Sequence, residues 1–264
     1  MNKVDLPVFT YGDPANPPIL FIHGFLYDHT MWEPMIERLK SSYYCITYDI
    51  RGLGKAPIDY GQYTLDGLAE DAISVLNFVL DEKAKVILCG LSMGGYIGFR
   101  LMELFPERFT AFAALDTRAS ADTTEAKIKR SNGIKAIDAG GVQAYVEGFM
   151  PNCFGEAFQK NWPDTYRKYY DAACSYHPIG VKGCLLAMMG RVDSRFVLSK
   201  MTIPVLAVVG EHDKFTPALE MQQMSAEIPG CEFYILPECG HMTPIENPDK
   251  VVELFINWAV KNNL

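Results

Sequence analysis

The chain has 264 residues, of which 49% are hydrophobic, so it is long enough for one large domain and too apolar to be disordered. Its formal net charge of -8 at pH 7 argues against a nucleic-acid partner, because phosphate binding depends on clustered lysine and arginine. The 7 cysteines include no C-x-x-C pair, so the sequence predicts neither a disulfide framework nor a zinc site.

The N-terminal stretch from Met1 to Pro7 lacks the continuous apolar core of a signal peptide. No apolar run in the chain approaches the length that is needed to span a bilayer. We therefore expect a cytoplasmic protein with reduced cysteines and no membrane span. The sequence carries no signal for the oligomeric state.

Apolar runs alternate with helical patterns through the first part of the chain. Strands are predicted at 8–11, 19–22, 44–48, 86–89 and 109–115. Helices are predicted over 31–40, from Thr64 onward, and from Tyr96 to near Pro106. Such alternation is typical of a mostly parallel sheet that helices cover on both faces.

The pattern changes from about Ala119 to Lys200, where short helical stretches carry aromatic residues and methionines and no clear strand. We predict that residues 119–200 form a helical cap inserted in a core that residues 1–118 and 201–264 build. Arg118 and the charged run that follows, up to Arg130, are expected on the solvated face of a cap helix.

Strands resume after this segment. Runs at 203–209 and 232–236 predict the last two strands, with a helix from Pro217 to Ile228 between them. The chain closes with a helix that Asn247 caps and Pro248 starts.

The turn Gly90-x-Ser92-x-Gly94 lies between the strand at 86–89 and the helix that follows. A turn this tight strains the central residue, and glycines on either side remove the side chains that would collide with the strand or the helix. This context is the one that a G-x-S-x-G nucleophile elbow requires, and it puts the Ser92 hydroxyl beside a helix N-terminus.

A serine hydroxyl needs a base to take its proton, and the base needs an acid to orient it. Of the 5 histidines, His241 lies in a loop after the last strand, so it emerges at the sheet edge where Ser92 emerges. Asp213 follows a strand end on the same edge. Asp116, which also follows a strand, is the rival acid.

Two other histidines have structural interpretations. His23 is expected to be hydrogen-bonded under the loop that follows the strand at 19–22, not to act as a base. His212 stands beside Asp213 and is expected on the surface.

Together these motifs resemble the α/β-hydrolase superfamily over essentially the whole chain. The matching pieces are His23-Gly24, Asp49-x-Arg51-Gly52-x-Gly54, Gly90-Leu91-Ser92-Met93-Gly94-Gly95, Gly210-x-x-Asp213 and Gly240-His241. Ala56 stands where the superfamily usually has a serine. The resemblance implies an α/β-hydrolase fold, with a mostly parallel central sheet flanked by helices and an inserted helical cap.

The resemblance also implies roles for individual residues. Ser92 would be the nucleophile, His241 the general base and then acid, and Asp213 the orienting carboxylate. The backbone N–H groups of Phe25 and Met93 would form the oxyanion hole. The resemblance calls for no metal and no organic cofactor.

The elbow and the short cap look most like those of small bacterial carboxylesterases and enol-lactonases. A small-molecule ester or lactone is therefore the expected substrate. Side chains expected to line the pocket are those of Phe25, Leu26, Phe149, Trp162, Phe215 and Met242. A carbon–carbon bond hydrolase and a cofactor-free perhydrolase would use the same triad, and a small-molecule receptor on the same fold is the alternative outside enzymes.

Overall fold

The computed structural model describes residues 5–60 and 63–264. Residues 1–4, part of the stretch examined for a signal peptide, lie outside the described residues. A seven-stranded sheet forms the centre of the described chain. In chain order its strands are β1 Val8–Tyr11, β2 Pro18–Ile22, β3 Tyr44–Tyr48, β4 Val86–Leu91, β5 Phe109–Leu115, β6 Val205–Gly210 and β7 Glu232–Leu236.

Helices flank the sheet and fill the segment between β5 and β6. They are α1 Glu33–Leu39, α2 Leu65–Val79, α3 Met93–Leu104, α4 Thr124–Phe149, α5 Phe158–Asn161, α6 Pro163–Ser175, α7 Pro178–Met189, α8 Arg195–Leu198, α9 Ala218–Ala226, α10 Thr243–Glu246 and α11 Pro248–Lys261. Short 3-10 turns occur at His29–Trp32, Pro106–Arg108 and Met150–Asn152.

The predicted fold class is confirmed. The strands lie in the order β1-β3-β2-β4-β5-β6-β7. The edge strand β1 runs antiparallel to β3, and the other neighbouring pairs are parallel. Strands β3, β4 and β6 are buried along their whole length, as expected when helices cover both faces of a parallel sheet.

The sheet topology places two loops of interest side by side. The chain leaves β2 toward β3 on one side, and later returns to form β4 on the other side of β2. The carboxyl ends of β2 and β4 therefore flank a topological switch point, where open parallel sheets bind ligands. The residues that follow these two ends are His23-Gly24 and Ser92.

Capping residues mark the starts of helices α2 and α11, as predicted. The Thr64 hydroxyl accepts a hydrogen bond from the Gly67 N–H at the start of α2. The Asn247 side chain does the same for the Lys250 N–H at the start of α11. The four-residue helix α10 was not predicted, because one turn carries no periodic pattern.

Residues 119–200 contain α4 to α8 and no strand. Helix α4 changes direction at Gly141, whose φ of 77° only glycine adopts readily. The boundaries of a separate cap at 118/119 and 200/201 stay a prediction, and the name cap segment is used below for residues 119–200. None of the helices in the described ranges is both long and apolar enough to cross a membrane.

An ion cluster ties the two ends of the cap segment together. Asp122 accepts hydrogen bonds from Arg130 at 2.6 Å and from Arg191 at 2.5 Å. Arg191 also donates to the carbonyl oxygen of Ser120, from Nε at 3.1 Å and from Nη2 at 2.9 Å. Residues 120–122 lie at the start of the cap segment and Arg191 lies near its end. These contacts therefore join the two ends of the segment.

The expectation of a solvated charged run from Glu125 to Arg130 agrees with the exposure of Glu125, Lys127 and Lys129, but it is wrong for Arg130 and for Arg118. Arg130 is paired with Asp122, and Arg118 donates to Glu220 and to the carbonyl oxygen of Phe215. Asp122 lies 8 residues from Arg130, and Glu220 lies 102 residues from Arg118. A run of charged residues in the sequence does not reveal such partners.

Replacing Asp122 by alanine is expected to lower the free energy of unfolding by about 3–5 kcal/mol, because it leaves a buried guanidinium without its carboxylate. The Arg191 side chain is only 3% exposed. Urea unfolding measures the effect. The matched control is Asp171→Ala, which breaks an exposed ion pair with Arg167 and should cost about 1 kcal/mol or less. Equal losses in the two variants would contradict a stabilising role for the cluster.

Candidate active site

Ser92 occupies the turn between β4 and α3 with φ 54° and ψ -114°. A serine in this left-handed region is strained, and such strain persists only where the surroundings hold it. The Ser92 N–H donates to the Leu115 carbonyl oxygen at 3.0 Å, and the Thr117 hydroxyl donates to the Ser92 carbonyl oxygen at 2.8 Å. The turn is therefore fixed by the end of the neighbouring strand β5.

The flanking glycines are required by close backbone contact. A Cβ on Gly90 would lie 2.6 Å from the carbonyl oxygen of Gly94. A Cβ on Gly94 would collide with the carbonyl oxygen of Ile22 at the end of β2. The second glycine thus lets the elbow approach the loop after β2.

Ser92, His241 and Asp213 form one hydrogen-bonded chain. The Ser92 Oγ lies 2.8 Å from His241 Nε2, and His241 Nδ1 lies 2.8 Å from Asp213 Oδ2. The three side chains come from the ends of β4, β7 and β6, which share one edge of the sheet. With Nδ1 donating to the carboxylate, Nε2 is free to accept the serine proton.

The turn after β6 stabilises the charged form of Asp213. Its Oδ1 accepts the N–H groups of Phe215 at 2.7 Å and Thr216 at 3.0 Å, and its Oδ2 also accepts the Thr216 hydroxyl. Burial alone would raise the pKa of Asp213, but the charge of His241 and these hydrogen bonds hold its pKa below the usual value. The carboxylate is therefore ionised at neutral pH.

The rival acid Asp116 lies near this chain without joining it. Its Oδ1 accepts the Gly210 N–H at 2.9 Å, and its Oδ2 pairs with the Thr243 hydroxyl. Burial raises the pKa of Asp116 well above its usual value, and the charge of Asp213 adds to the rise against these hydrogen bonds. Asp116 thus bridges two loops, while the His241 Nδ1 is hydrogen-bonded to Asp213.

The loop after β2 supplies the second wall of the site. His23 is buried beneath it, with Nδ1 2.8 Å from the Gly24 carbonyl oxygen and Nε2 accepting the Ile50 N–H at 2.9 Å. Burial lowers the pKa of His23, so the ring is neutral and structural, as expected. Phe25 follows in this loop, and Met93 is the first residue of α3, whose N–H has no acceptor within the helix.

A group of aromatic rings packs beside His241. The Phe215 ring lies 5.0 Å from the His241 ring, and Phe149 lies 4.9 Å from Phe215 and 5.6 Å from Phe25 between ring centroids. Tyr145 stacks on Phe149 at 5.5 Å. The aromatic wall, defined as Phe25, Tyr145, Phe149 and Phe215, joins the core to the second half of α4.

The other three residues that were expected in the pocket differ in how far they are exposed. Leu26 and Met242 are fully buried. Trp162, in contrast, exposes 60% of its surface between α5 and α6, which gives no support to its expected pocket role. His212 is exposed and lies 4.0 Å from Glu238, in agreement with its expected surface position.

Sequence reasoning missed three residues of the site. Thr216 follows Asp213 by three positions, a spacing at which a hydroxyl or N–H commonly bonds a turn aspartate. Tyr145 precedes Phe149 by four positions and so shares its helix face. Glu246 accepts the backbone N–H groups of Gly240 and Met242 just before it and of Gly155, 91 residues away, and backbone partners leave no mark in the residue types of the sequence.

Three groups of side chains in the described residues bring carboxylate and imidazole atoms within 4.8 Å of one another: Asp28, His29 and Asp49; Asp116, Asp213 and His241; and Glu211, His212 and Glu238. In the first, the His29 Nδ1 is hydrogen-bonded to Asp49 at 2.7 Å. In the second, His241 is bonded to Ser92 and Asp213, so a metal would have to break these contacts.

Comparisons with known proteins identify relatives of the chain in sequence and in fold. The sequence model of the alpha/beta hydrolase family matches residues 19–254. The chain is 28% identical to 3-oxoadipate enol-lactonase 1 of Acinetobacter baylyi, over 96% of this chain and 92% of that protein. A thermophilic esterase from Thermogutta terrifontis, solved with malate bound, superposes with a TM-score of 0.93 at 31% identity, covering 99% of this chain and 95% of the other. The enol-lactonase from Burkholderia xenovorans has a TM-score of 0.91 at 23% identity, with 98% of each chain covered, and this likeness concerns the fold alone.

Proposed function

The chain belongs to the alpha/beta hydrolase family, and from this premise we propose that it is a serine hydrolase that cleaves a carboxylic ester or lactone through an acyl-enzyme on Ser92. One observation carries the proposal: the unbroken hydrogen-bonded chain from Ser92 Oγ through His241 to Asp213, with both distances at 2.8 Å. The esterase and enol-lactonase names of its relatives support the same class of substrate.

In the first half of the reaction, His241 Nε2 takes the proton of Ser92 as Oγ attacks the carbonyl carbon. The carbonyl oxygen becomes an oxyanion, which the N–H groups of Phe25 and Met93 would stabilise. Each such donor is typically worth about 3–4 kcal/mol in the transition state. The imidazolium then gives its proton to the leaving alkoxide, which stays attached to the acyl group in a lactone.

In the second half, water replaces the alcohol, and His241 takes a proton from it as it attacks the acyl-enzyme. The same oxyanion site is used again, and collapse of the intermediate returns the proton to Ser92. Asp213 keeps Nδ1 protonated and stabilises the imidazolium in both halves, without itself taking a proton.

The experiment that tests the function offers the purified protein an ester, a lactone, a vinylogous diketone, and a short carboxylic acid with peroxide. We expect many turnovers of the ester or the lactone. Cleavage of the diketone alone would favour a carbon–carbon bond hydrolase, and peracid formation alone a perhydrolase. A single equivalent bound without turnover would favour a receptor and contradict the proposal.

The aromatic wall is proposed to limit the length of the acyl group. Replacing Phe149 by alanine should raise kcat/KM for octanoyl relative to acetyl p-nitrophenyl ester by about tenfold, since room for two more methylenes is worth roughly 1.6 kcal/mol. Phe196→Ala, at an exposed ring on α8, is the matched control and should leave the ratio unchanged. An unchanged ratio in Phe149→Ala would show that this ring does not limit the pocket.

A further inference from the structure

Glu246 ends α10, and its carboxylate faces the loop that carries His241. Its Oε1 accepts the backbone N–H of Gly240 at 3.0 Å and that of Met242 at 3.1 Å. These two N–H groups stand immediately before and after His241 in the chain. One carboxylate oxygen therefore fixes the backbone on both sides of the base.

The other oxygen of Glu246 reaches the cap segment. Oε2 accepts the Gly155 N–H at 2.7 Å, and next to it the His241 N–H donates to the Cys153 carbonyl oxygen at 2.8 Å. A Cβ on Gly240 would lie 2.5 Å from the Gly155 nitrogen, so the two backbones pack in direct contact. The cap segment and the His241 loop are thus joined at the point where Glu246 sits.

We propose that Glu246 is a positioning residue for His241. Through it, the contact between the cap segment and the His241 loop is coupled to the orientation of this base. The inference rests on the function proposed above, in which His241 is the base. Glu246 contacts no reacting atom, so it acts only through the loop. Charge matters here, because a carboxylate accepts N–H groups on both oxygens, whereas a neutral amide would turn its own NH2 toward one of these donors.

The other titratable groups that face this pair are Tyr27, Asp116, Cys153, Asp213 and Cys239. Burial raises the pKa of the phenol and of both thiols, so these groups stay neutral near pH 7. Against burial, His241 and hydrogen bonds hold the pKa of Asp213 below its usual value. Burial raises the pKa of Asp116 well above its usual value, with the charge of Glu246 adding to the rise. Burial also raises the pKa of Glu246, while the N–H groups of Gly155, Gly240 and Met242 favour its charged form. A change in pH dependence on replacing Glu246 would report the loss of its charge, including the effect of that charge on Asp116.

The test compares Glu246→Gln with the parent protein on a p-nitrophenyl ester. We expect kcat to fall by about 10- to 100-fold, because a base displaced by about 1 Å transfers its proton poorly, while KM stays within about threefold. The pH midpoint of the kcat profile should also fall, since a lost negative charge disfavours the protonated imidazole. A purely structural residue would lower the folded fraction and leave the midpoint unchanged.

A second readout needs no turnover. The proton resonance of the His241 ring, assigned by its loss in His241→Gln, should titrate at lower pH in Glu246→Gln than in the parent. Glu253→Gln, which breaks an exposed pair with Lys250 on α11, is the matched control and should behave as the parent does. If the parent hydrolyses no ester, the proposed function fails, and the resonance still tests this inference.

The inference is overturned if folded Glu246→Gln keeps kcat within twofold of the parent and its His241 resonance titrates at the parent's pH. If Glu246→Gln does not fold, Glu246→Asp takes its place. The aspartate keeps the charge and shortens the reach by one methylene, so the same loss of kcat is expected with no change in the pH midpoint. Full activity in Glu246→Asp would overturn the inference equally.

Discussion

Ser92→Ala is expected to lower kcat for ester hydrolysis by about 10⁵-fold, because the acyl group then has no nucleophile to accept it. The substitution removes one hydroxyl from a side chain that is only 9% exposed, and its partner His241 stays hydrogen-bonded to Asp213. Substrate binding should change little, so KM is expected to stay within about threefold. Steady-state kinetics on a p-nitrophenyl ester measure both constants.

The control for this variant is Ser74→Ala, at an exposed serine on α2 whose hydroxyl bonds the Glu70 carbonyl oxygen. It should hydrolyse the ester at the parent's rate. If Ser92→Ala kept more than a tenth of the parent's kcat, Ser92 would not be the nucleophile, whatever the geometry of the site.

Asp213→Asn is expected to lower kcat by about 10³- to 10⁴-fold while the fold is retained. An amide in place of the carboxylate can donate to His241 Nδ1, which moves the imidazole proton to Nε2 and removes the acceptor for the serine proton. It also leaves the imidazolium without its counter-charge. Activity of the variant over a wide pH range, with circular dichroism as the check on folding, measures this loss.

Asp116→Asn is the matched comparison, since both aspartates are buried and follow adjacent strands. An amide has the shape of the carboxyl. Its oxygen can accept the Gly210 N–H, and the Thr243 hydroxyl, which donates to Oδ2 in the structure, can rotate to accept from its NH2. We expect less than about a tenfold change in kcat, since both hydrogen bonds survive. If Asp116→Asn abolished activity and Asp213→Asn did not, the acid would be Asp116.

Local patterns were sufficient to predict most of the fold. The apolar run of β7 and the Asn247-Pro248 start of α11 carry their signals within a few residues, and the structure has both as predicted. Strand ends were less well predicted. β4 continues through Gly90 to Leu91, because the sheet pairing of Gly90 with Ile22 and Ala114 extends the strand into the glycine motif.

The candidate site could be predicted where each residue follows a strand end, as Ser92 and Asp213 do. Contacts between distant segments could not. Arg118 bonds Glu220 across 102 residues, and Glu246 bonds Gly155 across 91 residues, so neither partner is visible in any local window. The exposure of Trp162 could not be predicted either, because a large aromatic residue in a helical segment can lie on the surface as well as in a pocket.

The central claim is that Ser92 forms a covalent intermediate, and a phosphonate probe of serine hydrolases tests it most directly. The purified protein is treated with the probe, digested and read by mass spectrometry. The account predicts one equivalent of probe on the peptide that contains Ser92, with loss of ester turnover in proportion to labelling. A protein that hydrolyses esters while Ser92 stays unmodified, or that carries the probe on another residue, would contradict it.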